Sequence, residues 1–379
     1  MKIIYILRSF ALKAGTERVI SDKMNYLAEH GYEVTLITYE QGSHPQAFPL
    51  HPSIRHIDLN TRFFVIEKYG LLKRLIMMRR MRTLFRNRLQ QILDEVKPDY
   101  YISTTYSINL IDIILSVRTQ ARKIVESHVA CYTVMKSNNY NHQFMMRTLA
   151  SLYDRWILGR LSKADLMVVL TKGDARDWSL YSDRVMVIPN PVTQYPEHVL
   201  SHDENGHRII CVGRLDSQKG YDMLIDAFAM IESQCKGWHI DIFGEGSDKA
   251  MLLDKIKQLG LQKRIIIHSP TPEIFYEYQR SEFLVLSSRY EGLPLVLLEA
   301  MACGIPCVAF RCKYGPEDII QDKKDGLLVD NGDVQALAEK MLWMIIHTEE
   351  RLCMGQTARE DIRRYEKQAI MQQWLDLFT

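Results

Sequence analysis

The stretch RYEGLPLVLLEAMACGIPCVAF, residues 289–310, decides the fold of this 379-residue chain. It follows EFLVLS (282–287), a short apolar run with the composition of a buried strand. LVLLEAMACG predicts a helix that is apolar on all sides and therefore buried, ended by Gly304, and PCVAF predicts the next strand. A strand, a loop, a buried helix and a second strand in this order predict a crossover unit of a parallel α/β sheet.

The same alternation of strands and helices runs along the whole chain. Predicted strands lie at 2–7, 33–38, 54–58, 100–103, 123–127, 166–170 and 185–188, and then at 208–213, 239–244, 264–268, 282–287, 306–310 and 326–330. The aperiodic segment 191–207 separates the two series and is predicted to be a linker. We therefore expect two Rossmann-like domains that face each other across a cleft, with ligands bound beyond the carboxyl ends of the strands.

The composition is that of an ordinary globular protein. Hydrophobic residues make up 47% and charged residues 25%, and the net charge of +2 gives no support for nucleic-acid binding. The seven cysteines form no CxxC pair, which predicts reduced core thiols in a cytoplasmic protein. Residues 293–310 approach the length of a membrane span, but Glu299, Gly304 and two prolines argue against one.

Two loops after predicted strands carry groups suited to a phosphorylated ligand. Arg214 and Lys219 lie in RLDSQKG, just before an amphipathic helix, where two cations and a helix N-terminus favour an anion, although solvated loop charges are an equal alternative. Gly244 and Gly246 follow the next strand and allow close backbone approach to a ligand, but an ordinary strand-to-helix turn also explains them. The absence of a GxGxxG pattern counts against a nicotinamide or flavin enzyme.

Glu291 and Glu299 are the two carboxylates within the opening stretch. If both lay on one helix, their eight-residue separation would span roughly 12 Å, more than the ~5–9.5 Å of a glycosidase carboxylate pair. Separate hydrogen-bonding roles fit better, because a carboxylate accepts paired hydroxyl groups well. A ligand with hydroxyls at each end and phosphates between them would be a nucleotide sugar.

VGRLDSQKG, FGEG and EGLPLVLLEAMACGIPCVAF together resemble the retaining GT-B glycosyltransferases of family 4, also called glycosyl transferases group 1, which transfer sugars from nucleotide sugars. AGTERVI (14–20), VESHVA (125–130) and VIPNPV (187–192) extend the resemblance over nearly the whole chain. It implies a GT-B fold with an acceptor-binding domain at 1–190 and a donor-binding domain at 208–355. The segment AREDIRRYEKQAIMQQWLDLF (358–378) is predicted to be one helix, and by the same analogy the C-terminal helix within 356–379 packs back on the first domain.

The resemblance also assigns roles to individual residues. Arg214 and Lys219 would bind the donor diphosphate and stabilise the leaving group, which is electrostatic catalysis by preorganised cations. Glu291 would hold hydroxyls of the donor sugar, Glu299 the ribose hydroxyls, and His128 would point toward the sugar. The remaining implied binding positions are Gly15 in the first loop and Gly244, Glu245, Gly246, Gly292, Leu293, Pro294 and Leu295 around the nucleotide, phosphates and sugar.

No metal or other cofactor is expected. The sequence contains no Asp-x-Asp pair, the usual metal-holding element of enzymes that neutralise the diphosphate with a metal ion, so protein cations are expected in its place. A UDP-sugar donor and retention of the anomeric configuration follow from the resemblance alone.

The segment 62–88 is the most asymmetric in charge, with nine Lys or Arg residues and one acid, Glu67, among apolar residues. A basic amphipathic helix is typical of a surface that lies on anionic lipid, although part of this one must pack on the first sheet. With the family resemblance, it predicts peripheral contact with the inner face of the cell membrane and a polysaccharide or lipid-linked glycan acceptor.

Two other functions remain open at the level of sequence. Nucleotide-sugar epimerases share the GT-B architecture, and such an enzyme would change the donor without an acceptor. A non-catalytic nucleotide-sugar binder would bind the donor without transferring or hydrolysing it.

Overall fold

The computed structural model describes residues 1–12, 15–131, 133–134, 156, 158–198 and 207–379. The chain forms two compact units, Met1–Ile188 with Gln373–Thr379, and Pro189–Gln372. Within the described ranges, no helix combines the length and hydropathy that crossing a bilayer requires.

The first unit is a seven-stranded parallel sheet in the order β3-β2-β1-β4-β5-β6-β7. Its strands are β1 (Lys2–Leu7), β2 (Glu33–Thr38), β3 (Arg55–Asp58), β4 (Tyr100–Thr104), β5 (Arg122–Glu126), β6 (Leu166–Val169) and β7 (Val185–Val187). Its α-helices are α1 (Gly15–Glu29), α2 (Leu71–Val96), α3 (Ile111–Ser116) and α4 (Lys172–Trp178), with 3-10 turns at Phe63–Lys68, Thr105–Leu110 and Gly159–Lys163.

The second unit is a six-stranded parallel sheet in the order β10-β9-β8-β11-β12-β13. Its strands are β8 (Arg208–Val212), β9 (His239–Phe243), β10 (Ile265–His268), β11 (Phe283–Leu286), β12 (Cys307–Phe310) and β13 (Gly326–Val329). The helices are α5 (Tyr221–Ile231), α6 (Lys249–Gln258), α7 (Ile274–Gln279), α8 (Leu295–Ala302), α9 (Pro316–Ile319), α10 (Val334–Ile346) and α11 (Thr348–Asp361), with 3-10 turns at Glu232–Gln234 and Ile362–Tyr365. The C-terminal helix α12 (Lys367–Phe378) begins in the second unit, and its residues from Gln373 onward belong to the first.

Both strand orders follow the doubly wound pattern, and the predicted α/β class with two parallel, Rossmann-like sheets is confirmed. All thirteen predicted strands are present, each within about one residue of its expected bounds. In the second unit the order reverses between β8 and β11, so the loops after these two strands leave the sheet on either side of the point where ligands bind in such folds.

The buried helix of the opening stretch is α8, and six of its eight residues are buried. Gly304 follows it with φ +77°, the left-handed conformation that commonly ends a helix, as predicted. The helix begins at Leu295, the first residue of LVLLEAMACG, as predicted, so Glu291 lies before the helix. Residues 291–294 form a loop, and the helical estimate of the distance between the two carboxylates does not apply.

Two other boundaries differ from the expectation. The segment 358–378 is not one helix, because α11 ends at Asp361 and α12 starts only at Lys367. The boundary between the units divides the segment 356–379: residues 356–372 belong to the second unit and 373–379 to the first. The described part of the predicted linker, 191–198, belongs to the second unit, where the Val192 amide donates to the Tyr365 carbonyl at 2.8 Å; residues 199–206 lie outside the described ranges.

Candidate functional site

The loops after β8 and β11 touch at the switch point of the second sheet. Gly220 ends the first loop with φ +64°, and a Cβ added there would lie 2.1 Å from the Ser287 carbonyl oxygen. Ser287 Oγ donates to the Lys219 carbonyl at 2.9 Å. A side chain at position 220 would separate the loops, so the glycine is required for their close approach.

This approach brings Lys219 and Glu291 together. Lys219 Nζ lies 2.6 Å from Glu291 Oε1, and Ser288 Oγ donates to the same oxygen at 2.6 Å. The side chains are 14% and 7% exposed, so the ion pair is shielded from water. Among the described residues nothing hydrogen-bonds to Glu291 Oε2, and one of the three ammonium hydrogens is used. The pair can therefore offer a donor and an acceptor to one ligand.

Arg214, the other predicted cation, is 70% exposed at its side chain. Its guanidinium contacts Asp216 at 3.0 Å and Gln218 at 2.9 Å. These surface contacts leave several of its five N–H donors uncommitted. The structure places Arg214 in the same loop as Lys219, without a direct contact between the two side chains.

Gly244 and Gly246 pack against that loop. A Cβ at Gly244 would lie 1.9 Å from the Gly213 carbonyl oxygen, and one at Gly246 would lie 2.2 Å from that of Leu215. Close approach to the neighbouring loop accounts for both glycines without a ligand. Glu245 between them is exposed, and its carboxylate accepts from Lys249 at 2.8 Å and Ser269 at 3.1 Å.

The segment from Gly292 to Leu295 leads into α8. Leu293 and Pro294 are buried, and the amides of Gly292, Leu293 and Leu295 have no backbone partner within the described parts of the chain. Pro294, also an implied binding position, has no amide hydrogen and cannot donate a hydrogen bond. Three amides without backbone partners at the N-terminus of a buried helix favour the binding of an anion there.

Glu299 lies in α8 and is 9% exposed. Its Oε1 accepts from Thr193 Oγ1 at 2.6 Å, and its Oε2 accepts from Tyr278 Oη at 3.1 Å. Burial, together with the nearby Glu299 charge, raises the pKa of Tyr278 well above its usual value, so the phenol stays a donor. The carboxylate that is predicted to contact the ribose is therefore already hydrogen-bonded within the second unit.

His128 and Gly15 belong to the first unit. His128 Nε2 lies 3.0 Å from Glu126 Oε2, and Lys23 Nζ lies 2.5 Å from the same oxygen. Gly15 is the exposed first residue of α1, and its two preceding residues lie outside the described ranges. Lys219 and Glu291, by contrast, belong to the second unit.

Five residues of these networks were missed from sequence: Lys23, Glu126, Thr193, Tyr278 and Ser288. Most of them meet their partners only through the fold; 103 positions separate Lys23 from Glu126, and 106 separate Thr193 from Glu299. Two of these contacts could have been expected from sequence. Side chains alternate along a strand and its extension, so Glu126 and His128 should share a face. Ser288 lies only three positions before Glu291, so the two side chains can meet within one loop.

No group of three or more His, Cys, Asp or Glu side chains in the described part of the chain is arranged to hold a metal ion. The seven cysteines are free thiols, and all except Cys353 are buried. Their arrangement agrees with the predicted core role.

Comparison with known proteins identifies the family. The model of Glycosyltransferase Family 4 matches residues 14–194, and that of Glycosyl transferases group 1 matches residues 197–361. The amylovoran biosynthesis glycosyltransferase AmsD of Erwinia amylovora is 27% identical over 388 residues, covering 100% of this chain and 99% of the relative.

A Campylobacter jejuni relative, GalNAc-alpha-(1->4)-GalNAc-alpha-(1->3)-diNAcBac-PP-undecaprenol alpha-1,4-N-acetyl-D-galactosaminyltransferase, is 25% identical over 386 residues, covering 100% of this chain and 98% of the relative. The crystal structure of S. aureus TarM with fondaparinux, alpha-GlcNAc-glycerol and UDP superposes with a TM-score of 0.76 at 17% identity, covering 100% and 99% of the two chains. This likeness supports the fold. The two family models together cover most of the sequence, and the chain belongs to the GT-B glycosyltransferases of family 4.

Proposed function

We propose that this glycosyltransferase moves a hexose or N-acetylhexosamine from a UDP-sugar to a growing polysaccharide or lipid-linked glycan. The observation that carries the proposal is the contact between Lys219 and Glu291 at the switch point of the second sheet. Support for the donor comes from the UDP named with TarM, and support for the acceptor from the names of the Erwinia and Campylobacter relatives.

In this proposal the donor diphosphate lies against Lys219 Nζ, Arg214 and the free amides that precede α8. These groups stabilise the charge that develops on the leaving diphosphate as the bond to the sugar breaks. Glu291 Oε2 accepts a hydrogen bond from a sugar hydroxyl, while Oε1 stays bonded to Lys219 and Ser288. Glu299 holds the ribose hydroxyls, His128 contacts the sugar, and Gly15, Gly244, Glu245 and Gly246 border the donor.

Transfer is proposed to be independent of a metal ion and to retain the anomeric configuration. Support for metal independence comes from the absence of Asp-x-Asp in the sequence and from the two cations in the loop after β8. Retention is proposed from family membership, with the leaving phosphate helping to deprotonate the acceptor hydroxyl on the same face of the sugar.

The acceptor is proposed to bind the first unit. A cavity of about 390 Å³ lies where β1, β2 and β4 end, the edge at which ligands bind in doubly wound sheets. Arg8 and Glu40 form an ion pair at its wall, with the aromatic rings of Phe63, Phe64 and Tyr106 nearby. Guanidinium and carboxylate groups beside aromatic faces suit a sugar with hydroxyls and an apolar ring face.

The cavity adjoins the surface proposed to lie on the membrane. The first turns of α2 expose Leu71, Leu72, Leu75 and Ile76 by 79%, 75%, 58% and 48%. Lys73, Arg74, Arg79 and Arg80 are exposed on the same helix, whereas its later apolar residues, such as Phe85, are buried in the core. Exposed apolar side chains among cations favour an anionic bilayer at the inner face of the cell membrane.

Incubation with a panel of UDP-sugars, with and without a polyprenyl-diphosphate-linked glycan or polysaccharide acceptor, tests the proposed function. We expect one donor to be consumed with formation of an α-linked product in the presence of EDTA. Epimerised donor in the absence of acceptor would favour the epimerase alternative. Donor binding without transfer or hydrolysis across the panel would favour the non-catalytic binder.

A further inference from the structure

A buried ion pair in the first unit has no role in the function proposed above. Lys23, from α1, and Glu126, the last residue of β5, are 4% and 2% exposed at their side chains. Their Nζ and Oε2 atoms lie 2.5 Å apart. Burying two charges is costly, and such a pair contributes little net stability compared with apolar residues of similar size. The ion pair lies beside His128, and an effect on that residue can explain why the pair is present.

Trp374, in the segment that belongs to the first unit, covers the ammonium group. Lys23 Nζ lies 3.8 Å from the centre of its ring, a cation–π contact that favours the charged amine. Burial raises the pKa of Glu126, but the charge of Lys23 and the hydrogen bonds from His128 and Lys23 lower it by more, so the carboxyl stays ionised. The ionised carboxylate can only accept hydrogen bonds.

The ionised carboxylate of Glu126 determines which nitrogen of the His128 ring carries the hydrogen. Its Nε2 lies 3.0 Å from Glu126 Oε2, so Nε2 must carry a hydrogen. The other ring nitrogen, Nδ1, is buried and has no hydrogen-bond partner in the described part of the chain. In a neutral ring with hydrogen on Nε2, Nδ1 carries a lone pair, and a buried acceptor without a donor is unfavourable until a donor reaches it.

We propose that Lys23 and Glu126 are positioning residues that hold His128 in the Nε2–H tautomer, with the Nδ1 lone pair free to accept a hydrogen bond from a sugar hydroxyl. Glu126 fixes the hydrogen on Nε2. Lys23 balances the charge of Glu126, so the imidazole need not be protonated to neutralise the carboxylate. The inference rests on the proposed function for the sugar ligand, whereas the tautomer is a property of the free protein.

Nuclear magnetic resonance of protein labelled with ¹⁵N-histidine tests the tautomer without any substrate. Long-range ¹H–¹⁵N correlation distinguishes the two tautomers, and the His128→Gln variant identifies the His128 signals among the twelve histidines. At a pH where the ring is neutral, we expect hydrogen on Nε2 alone. Hydrogen on Nδ1 in the wild-type protein would overturn the proposal, and this outcome requires no variant of the ion pair to fold.

The double variant Lys23→Met/Glu126→Gln removes both charges with little change in volume. Because a glutamine amide can accept from Nε2 or donate to it, we expect a mixture of tautomers. A second double variant, Glu282→Gln/Arg351→Met, is the matched control: it removes a buried ion pair of 2.8 Å in the other unit, at 3% exposure of each side chain, and should leave the His128 signals unchanged. Retention of a single Nε2–H tautomer in Lys23→Met/Glu126→Gln would contradict the proposal.

The rate of sugar transfer then tests whether the tautomer of His128 matters for sugar binding. We expect kcat/KM for transfer to fall by about tenfold in Lys23→Met/Glu126→Gln, the size of losing one hydrogen bond, and to stay within about twofold of wild type in the control. An unchanged kcat/KM with mixed tautomers would overturn the assigned role. If the wild-type protein transfers no sugar from any donor, the proposed function fails while the tautomer result stands.

Discussion

Lys219 Nζ lies 2.6 Å from Glu291 Oε1, although 72 positions separate the two residues in the sequence. Their meeting is a consequence of strand order, because β8 and β11 are neighbours and both loops leave the same edge of the sheet. The ion pair leaves Glu291 Oε2 uncommitted within the described residues. A cation and a carboxylate thus lie side by side in the second unit, and the proposed function assigns them to the phosphates and the sugar hydroxyls.

Glu299→Gln should destabilise the second unit as well as weaken donor binding. Both carboxylate oxygens accept from hydroxyl groups, Thr193 Oγ1 and Tyr278 Oη, but a glutamine side chain has one acceptor oxygen and one donor nitrogen. We expect the free energy of unfolding in urea to fall by about 1–3 kcal/mol.

Tyr278→Phe is the matched control for Glu299→Gln. It removes one hydrogen bond but leaves the carboxylate ionised, so it should lower stability by about 1 kcal/mol and retain donor binding. Wild-type stability of Glu299→Gln would contradict the hydrogen bonds assigned to Glu299.

Gly220→Ala should disrupt the site by separating the loops after β8 and β11. The added Cβ would meet the Ser287 carbonyl oxygen at 2.1 Å, and Ser287 in turn bonds to the Lys219 carbonyl. Gly237→Ala has the same kind of backbone strain, with φ +86°, but open space around its Cβ. Each variant should lose about 1 kcal/mol or more of stability from the positive φ, measured by urea unfolding.

Only Gly220→Ala should also lower sugar transfer, because only there must the neighbouring loop move. Equal transfer rates in the two alanine variants would show that contact between the loops does not position Lys219.

Leu72→Asp/Leu75→Asp should release the protein from anionic membranes. Both side chains are exposed on the first turns of α2, and they would enter the lipid interface. Sedimentation with phosphatidylglycerol vesicles should show binding weakened by about tenfold or more, and salt should weaken wild-type binding. Leu180→Asp, at a position 76% exposed elsewhere in the first unit, should bind as wild type. Equal loss in both variants, or no wild-type binding, would contradict the assigned surface.

Asp325→Asn should stabilise the protein above pH 6 and not below pH 4. Burial raises the pKa of Asp325 to about 6, although the hydrogen bond from the Gln321 amide acts to lower it. Because the folded state holds the proton more tightly than the unfolded state, the aspartate destabilises the fold increasingly as pH rises through this range. Asparagine removes this penalty, and we expect a gain of about 1 kcal/mol at pH 8 in urea unfolding. A gain of the same size at pH 4 would contradict the assignment.

The strands and the switch-point loops could be predicted from sequence because they depend on local pattern. Short apolar runs such as IICVG and EFLVLS are typical of buried parallel strands. Gly304 likewise indicates the end of the buried helix that follows EFLVLS. The loop residues Lys219 and Glu291 were found for the same reason, because each lies in the loop that follows a predicted strand.

The partners of the predicted residues could not be found in this way. Thr193 lies in a segment without periodicity, and only the fold shows that its hydroxyl meets Glu299. For Gly244 and Gly246, the sequence left both close approach to a ligand and an ordinary strand-to-helix turn open, and only the fold shows that the backbone of the loop after β8 is their immediate neighbour. Helix ends also depend on tertiary packing, which is why the break between α11 and α12 was missed.

The central claim is that Lys219 and Glu291 bind a nucleotide sugar, and thermal unfolding with a panel of nucleotide sugars tests it most directly. We predict that one donor raises the unfolding midpoint of wild-type protein, by an amount equivalent to about 2.7 kcal/mol at a concentration of 100 Kd. Glu291→Gln keeps an acceptor for Lys219 and Ser288 but replaces the free oxygen with a donor, and should lose most of this stabilisation. Lys255→Ala, which removes the lysine of a 2.6 Å pair with Asp226, should retain it. No stabilisation of wild-type protein by any nucleotide sugar, or equal stabilisation of Glu291→Gln, would contradict the claim.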